Sequence, residues 1–176
     1  MAQSVRGPRE RMVFSAAQLI RRDGVAATGM REVAAHAGAP RGSLQHYFPG
    51  GKEQLVNEAV DWAGRYAGKR VARFLAALDE PTPGGLFAEM VRQWTDEYET
   101  AGFAGGCPVA AATGPVAAAL TDMGVPEERA GSLATLMISA LEGAILMARA
   151  ERDVRALTTV ARELGPLLDA AVSESG

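Results

Sequence analysis

Gly38-Ala39-Pro40 separates two short segments of helical apolar spacing, and this punctuation constrains the fold more than any other feature of the chain. In the first segment Met30, Val33, Ala34 and Ala37 recur at the three- and four-residue steps of one helix face. In the second, Leu44 and Phe48 stand four apart, and Pro49-Gly50-Gly51 follows as a break. Glycine tolerates the left-handed backbone that closes a helix, and proline at a helix start gives up no intrahelical hydrogen bond. Helices are therefore expected over residues 30–37 and 40–48, joined by a turn of helix-turn-helix length.

The flanking sequence supports an all-α chain. Gly7, Pro8 and Gly24 punctuate a helix over residues 8–23, whose Met12, Ala16, Leu19 and Ile20 form one apolar face. A longer helix is expected over 52–78, a loop over 79–85 and a helix over 86–101. Residues 102–108 read as irregular, and Gly114-Pro115 prevents one helix from spanning 109–123. Pro126 starts a helix reaching residue 152, and Asp153 caps a last helix over 154–172, with Gly165-Pro166 expected to break or kink it. Neither an alternating strand nor an internal repeat is visible. The expected division is a three-helix helix-turn-helix domain over 1–52 and a helical domain over 53–176.

Composition excludes several classes. A 48% apolar content is enough for a packed core. The single cysteine, Cys107, cannot form an intramolecular disulfide, and two histidines leave little for a zinc site, so no metal or cofactor is expected. Arg6, Arg9 and Arg11 are followed by no apolar stretch long enough for a signal peptide, which favours a cytoplasmic location. The longest apolar run, residues 133–148, falls short of the roughly 20 residues of a bilayer span and contains Glu142, so it reads as buried in protein, with no membrane partner. Charge is uneven: residues 1–52 hold eight basic and three acidic side chains, a net of +5, while the remainder carries –8. A basic end on an acidic body suits contact with a polyanion at that end.

The second of the two short helices carries the chemistry. Opposite Leu44 and Phe48, at about 100° per residue, project Gly42, Gln45 and His46, with Arg41, Ser43 and Tyr47 on the flanks. Arginine can grip guanine with two hydrogen bonds and glutamine can do the same with adenine, while Gly42 permits close approach to a groove. Ser43, Tyr47 and Lys52 suit phosphate oxygens, as do amides at a helix start. The Gly50-Gly51-Lys52 string is not a P-loop, because a helix precedes it and Glu53 follows. His46 lacks a nucleophile or orienting carboxylate at a readable spacing, so catalysis is disfavoured.

The run Gly-Ala-Pro-Arg-Gly-Ser-Leu-Gln-His-Tyr-Phe-Pro-Gly-Gly-Lys from Gly38 to Lys52, preceded by Met30-Arg31-Glu32-Val33-Ala34, resembles the DNA-binding domain of the TetR family. The double glycine before Lys52, with Gly106-Cys107-Pro108-Val109, is similar to the branch of lincomycin-resistance repressors of the LmrA/YxaF type. The resemblance implies three helices for DNA, with the rest of the subunit for ligand binding and for dimerisation through the last two long helices in a four-helix bundle. It places Thr28, Arg31, Arg41, Gly42, Ser43, Gln45, His46, Tyr47 and Lys52 at the DNA. Two departures stand out. Gln45 replaces a frequent tyrosine, and Gly29 replaces a capping serine or threonine, leaving Thr28 as the substitute phosphate contact. The chain also looks shorter than its relatives over residues 107–124.

Residues 132–150 are apolar almost all round, which requires cover on more than one side. Leu136, Ala140, Gly143 and Met147 on this helix, with Leu157 and Leu164 on the last, are the expected dimer contacts. Trp62, Tyr66, Met90, Trp94, Tyr98, Phe103 and Met137 supply the large surfaces of a small-molecule pocket, although each taken singly reads as ordinary core rather than a ligand contact. Glu142, a carboxylate on an apolar helix, needs solvent, a partner or a ligand. No basic neighbour favours a Cys107 thiolate, so it reads as an inert small residue. The expected function is a homodimeric repressor released from double-stranded operator DNA by a small, largely apolar effector of unknown identity; the alternative is a DNA-binding regulator or architectural protein without one.

Overall fold

The computed structural model describes residues 7–103 and 112–173, and every described element is a helix. The sequence at Gly106-Cys107-Pro108-Val109 lies outside the described residues. By packing the chain forms two compact units, Met1–Arg65 and Tyr66–Gly176.

The first unit is built on α1 (Pro8–Ala27), α2 (Met30–His36), α3 (Arg41–Tyr47) and the start of α4 (Gly51–Ala76). Pro8 opens α1 where its missing amide proton costs nothing. Gly24 sits at φ 83°, so it interrupts α1 as a stop would, and a further turn to Ala27 follows it. Met12, Val13, Ala16 and Leu19 face Val33 and Ala34 of α2 and Leu44 and Phe48 at α3. Leu55 and Ala59 of α4 complete this core, with Trp62 packed against it. The unit therefore extends past residue 52, because the first turns of α4 cover the three-helix core. Burying a Leu or Phe side chain contributes about 1.5–3 kcal/mol, so these few residues hold the short α2 and α3, which are too brief to persist alone.

The second unit holds the end of α4, α5 (Pro83–Ala101), α6 (Thr113–Asp122), α7 (Glu127–Glu151) and α8 (Arg155–Ser173). α5 packs on α8, and α7 packs on both α6 and α8. α5 begins at Pro83, three residues before the expected start, because Thr82 Oγ1 accepts from Gly85 N at 3.0 Å and Pro83 occupies the first turn. Pro115 lies in the first turn of α6, where amides have no intrahelical acceptor, so Gly114-Pro115 starts this helix. Asp153 Oδ1 accepts from Arg155 N at 2.8 Å, capping α8. α8 runs through Gly165-Pro166 as one helix with Pro166 inside it, so the expected interruption is not a break.

α7 is long and apolar enough, by length and composition alone, to cross a bilayer. Ala130, Ala134, Met137, Ile138, Leu141, Ala144, Ile145 and Ala148 instead form one face turned into the core of the second unit. Its opposite side exposes Leu136, Leu146 and Met147.

Candidate nucleic-acid interface

α3 lies on its core by Leu44 and Phe48, which are 5% and 0% exposed. Gly42, Gln45 and His46 are exposed on the other side, with Ser43 and Tyr47 half-buried between the faces. The His46 and Tyr47 rings meet edge to face, 4.9 Å between centroids. Arg41 opens α3; its side chain lies outside the described residues. A Cβ placed on Gly42 meets nothing within 4 Å, so the bare backbone there faces open space. This end of the helix can enter a groove to the depth its main chain allows.

Beside α3, Met30, Arg31, Ala34, Leu44, Gln45 and Gly51 line an open depression of about 480 Å³ between α2 and the start of α4. Its floor is apolar, and exposed Arg31 and Gln45 stand at its rim. Lys52 is exposed, and its Nζ donates to Ala26 O at 3.3 Å, tying the start of α4 to the end of α1. An ammonium has three protons, so two remain for phosphate oxygens.

Thr28 departs from the expected set. It is 4% exposed, and its Oγ1 donates to Gly24 O at 2.8 Å, which closes α1 and withdraws the hydroxyl from a phosphate. Glu32, in the first turn of α2, meets Arg22 Nη2 at 3.0 Å across α1 and α2. The same guanidinium hydrogen bonds Asp23 and holds its carboxyl below the usual value of 3.8, while the Asp23 hydrogen bond raises Arg22. Arg9, Gln54 and Glu58 also interact in this unit, with Arg9 Nη2 at 2.6 Å from Glu58 Oε1. None of these three was expected from sequence as part of a site. Arg9 and Glu58 are 49 positions apart and no periodicity links them, whereas the Gln54–Glu58 step of four was legible on α4.

Comparison with known proteins bears on what this surface serves. The family model for bacterial regulatory proteins of the tetR family matches residues 15–59, and that for the C-terminal domain of LmrA/YxaF-like transcriptional regulators matches 112–163. An uncharacterized HTH-type transcriptional regulator of Mycobacterium tuberculosis is 42% identical over 97% of this chain and 98% of its own length. The chain belongs to the TetR family. YxaF, an uncharacterized HTH-type regulator of Bacillus subtilis, is 27% identical over 91% of this chain and 94% of its own. A TetR transcriptional regulator from Legionella pneumophila shares the fold at a TM-score of 0.72 and 19% identity, covering 94% of this chain and 99% of that one. The protein is thus a TetR-family helix-turn-helix transcription regulator of the LmrA/YxaF-like branch, and not an enzyme. The 201 positions aligned with the mycobacterial relative exceed the 176 residues of this chain, so that TetR-family relative carries residues without a counterpart here.

In the second unit of this TetR-family chain the expected pocket residues are brought partly together. The Trp94 and Tyr98 rings on α5 meet at a tilt of 51° with centroids 5.7 Å apart, and Phe103 lies 5.0 Å from Tyr98. Arg152 sits over Phe103 at 6.0 Å. Met90, Trp94, Tyr98 and Met137 are all buried, so in this structure they are core. Glu142 is half-buried, with Oε1 shielded from solvent. Trp62 belongs to the first unit, where it packs on the core and its ring meets Phe14 edge on at 5.3 Å. Tyr66 is exposed, with Arg70 over its ring.

Of the expected dimer contacts, Leu136, Gly143 and Met147 are exposed along one side of α7, and Ala140 is half-buried beside them. Leu164 is half-buried against the core. Leu157 is fully buried in its own subunit, so it has no surface to offer a partner; its expected role is corrected to core.

Proposed function

We propose that a homodimer of this chain binds double-stranded operator DNA through α3, represses transcription, and is released by a small, largely apolar effector bound in the second unit, acting in the cytoplasm. The observation carrying this reading is the division of α3 into a face anchored by Leu44 and Phe48 and an opposite face of Gly42, Gln45 and His46. Gln45 suits adenine and Arg41 guanine, while Lys52, Ser43, Tyr47 and Arg31 serve phosphates. The exposed apolar side of α7 is the surface for a second copy. Effector release requires tighter binding to one conformation than to the other; a hundredfold preference corresponds to about 2.7 kcal/mol.

The test is selection of duplexes from a random-sequence library by the purified chain, followed by titration of the enriched duplex at several salt concentrations. An enriched inverted repeat, with half-sites about one helical turn apart and log-log salt dependence, supports the reading. Enrichment of no sequence would overturn it.

A second reading, a DNA-binding regulator without a physiological effector, is favoured by one observation. Trp94, Tyr98 and Met137 are 1%, 2% and 0% exposed, filling space that an effector would need. Thermal-shift screening against apolar ligands separates the two readings: a stabilising compound that also weakens operator binding favours release, and none across a broad set favours the second.

A further inference from the structure

Arg9, Gln54 and Glu58 form a polar chain that reaches the two ends of the segment closing α3. Glu58 Oε1 accepts from Arg9 Nη2 at 2.6 Å and from Gln54 Nε2 at 3.0 Å. Gln54 Oε1 in turn accepts from the backbone amide of Gly50 at 2.9 Å. The Arg9 guanidinium lies over the Phe48 ring, 5.3 Å from its centroid. One carboxylate on α4 therefore reaches Phe48 by way of α1 and Gly50 by way of its own helix. Between them stands only Pro49.

The fit at this turn is close. A Cβ on Gly50 would lie 3.1 Å from both Cβ and Oε1 of Gln54. The Arg9 and Glu58 side chains are 50% and 24% exposed, and ion pairs at such exposure add little to stability. Their geometric effect is more specific: Phe48 is the buried anchor of α3, and Gly50 leads into α4, so fixing both sets the angle of α3 on its core.

We propose that Glu58 is a positioning residue for sequence reading, holding the turn after α3 so that Gln45 and His46 are presented at one angle, without itself touching DNA. The proposal rests on α3 being the reading helix. It differs in sign from a purely electrostatic role. A carboxylate repels phosphates, so neutralising it for charge alone would raise affinity for every duplex by one factor. Loss of positioning lowers the ratio between the preferred duplex and others, because base contacts demand tighter geometry than phosphate contacts.

The experiment uses the full chain with Glu58→Ala, Glu58→Gln, Arg9→Ala and the Arg9→Ala/Glu58→Ala double variant. The probes are the duplex that the wild type enriches from a random library and a scrambled duplex of equal composition. Expected results are a fall of at least fivefold in the affinity ratio for Glu58→Ala, a similar fall for Arg9→Ala, and no further fall in the double variant. Glu58→Gln, which keeps an acceptor oxygen, should recover part of the ratio at a melting temperature close to wild type. The Gly50 amide should exchange faster in Glu58→Ala, a readout independent of DNA. If Glu58→Ala fails to fold, Glu58→Gln and Arg9→Ala carry the test. A wild-type ratio in the folded variants, or losses that add in the double variant, would overturn the positioning role alone. Enrichment of no sequence by the wild type overturns the reading of α3 and this role with it.

Discussion

The backbone amide of Gly84 donates to Oδ1 of Asp169 at 2.7 Å, so the first turn of α5 is capped by a side chain of α8 across 85 positions of sequence. The approach is so close that a Cβ on Gly84 would stand 2.6 Å from both Asp169 Oδ2 and Gly165 O. The carboxylate could swing aside, but the carbonyl belongs to the α8 backbone. Gly84→Ala should therefore destabilise the protein by about 1–3 kcal/mol, the usual range for overpacking. Asp169→Ala, which removes only the cap, should cost about 0.5–2 kcal/mol. Urea melts followed by circular dichroism would check both, and a neutral Gly84→Ala would show that α8 yields at Gly165.

Gly42 offers a substitution whose two effects should differ in sign. A Cβ there meets nothing in the chain, and alanine favours helix over glycine by about 0.5–1 kcal/mol. Gly42→Ala should leave stability unchanged or raise it while weakening binding to the enriched duplex severalfold, because the added methyl holds α3 away from the bases. Thermal melts and binding isotherms on the same preparation decide this. Equal or tighter DNA binding would place the groove elsewhere.

Gln45 and Lys52 should separate base reading from phosphate contact. Gln45→Ala should cost about 1–3 kcal/mol on the enriched duplex and relax preference at one base pair. Lys52→Ala should weaken all duplexes alike and reduce the salt slope by about 1. The Lys52 hydrogen bond to Ala26 O adds a complication that melts can remove: Lys52→Met keeps the apolar stem but loses both the charge and the bond.

Acid sensitivity should reveal the Arg22–Asp23 contact. The guanidinium hydrogen bond lowers the Asp23 carboxyl from its ordinary 3.8, so the stabilisation is fully present above that value and is lost as pH falls through the lower folded value. Arg22→Ala should flatten the pH dependence of stability below about pH 4 and leave it unchanged near neutrality. Because both groups are exposed, the effect should also shrink in high salt. Parallel urea melts across that acid range provide the measurement.

How much was legible in the sequence follows from the range of the interactions. The α2–turn–α3 segment was readable because Gly38, Pro40 and the Leu44–Phe48 step are local signals, and the structure uses each where it stands. The start of α5 was missed although Thr82-Pro83 carries both a capping hydroxyl and a first-turn proline, because the Pro/Gly content of 79–85 outweighed them. Thr28 looked like a phosphate ligand by position; its hydroxyl instead donates to the carbonyl four residues earlier, Gly24 O, an alternative that a threonine at a helix end always carries and that position alone does not exclude. Met147 lies on a helix that is apolar almost all round, where sequence alone cannot separate an inner face from an outer one, and Leu157 on α8 was paired with it without a signal for which side each faces.

That last pair supplies the sharpest test of assembly. Leu157 is 0% exposed and Met147 is 52% exposed, while a Cβ on Gly143, one turn before Met147, meets nothing in its own chain. Leu157→Ala should cost about 2–5 kcal/mol of stability through the cavity it leaves, with the association state of the surviving folded protein unchanged. Gly143→Arg should do the opposite. In an isolated subunit its side chain points into open space, and surface substitutions of that kind stay within about 0.5 kcal/mol. In a dimer joined along this side of α7, symmetry would bring a guanidinium from each subunit into one apolar contact, where desolvation and mutual repulsion oppose association. Sedimentation velocity over a range of protein concentrations should show a dimer for the wild type and a folded monomer for Gly143→Arg. Because the intrachain environment of Gly143 is empty, a folded Gly143→Arg dimer cannot be attributed to compensation within the subunit, and it would move the interface off this face of α7.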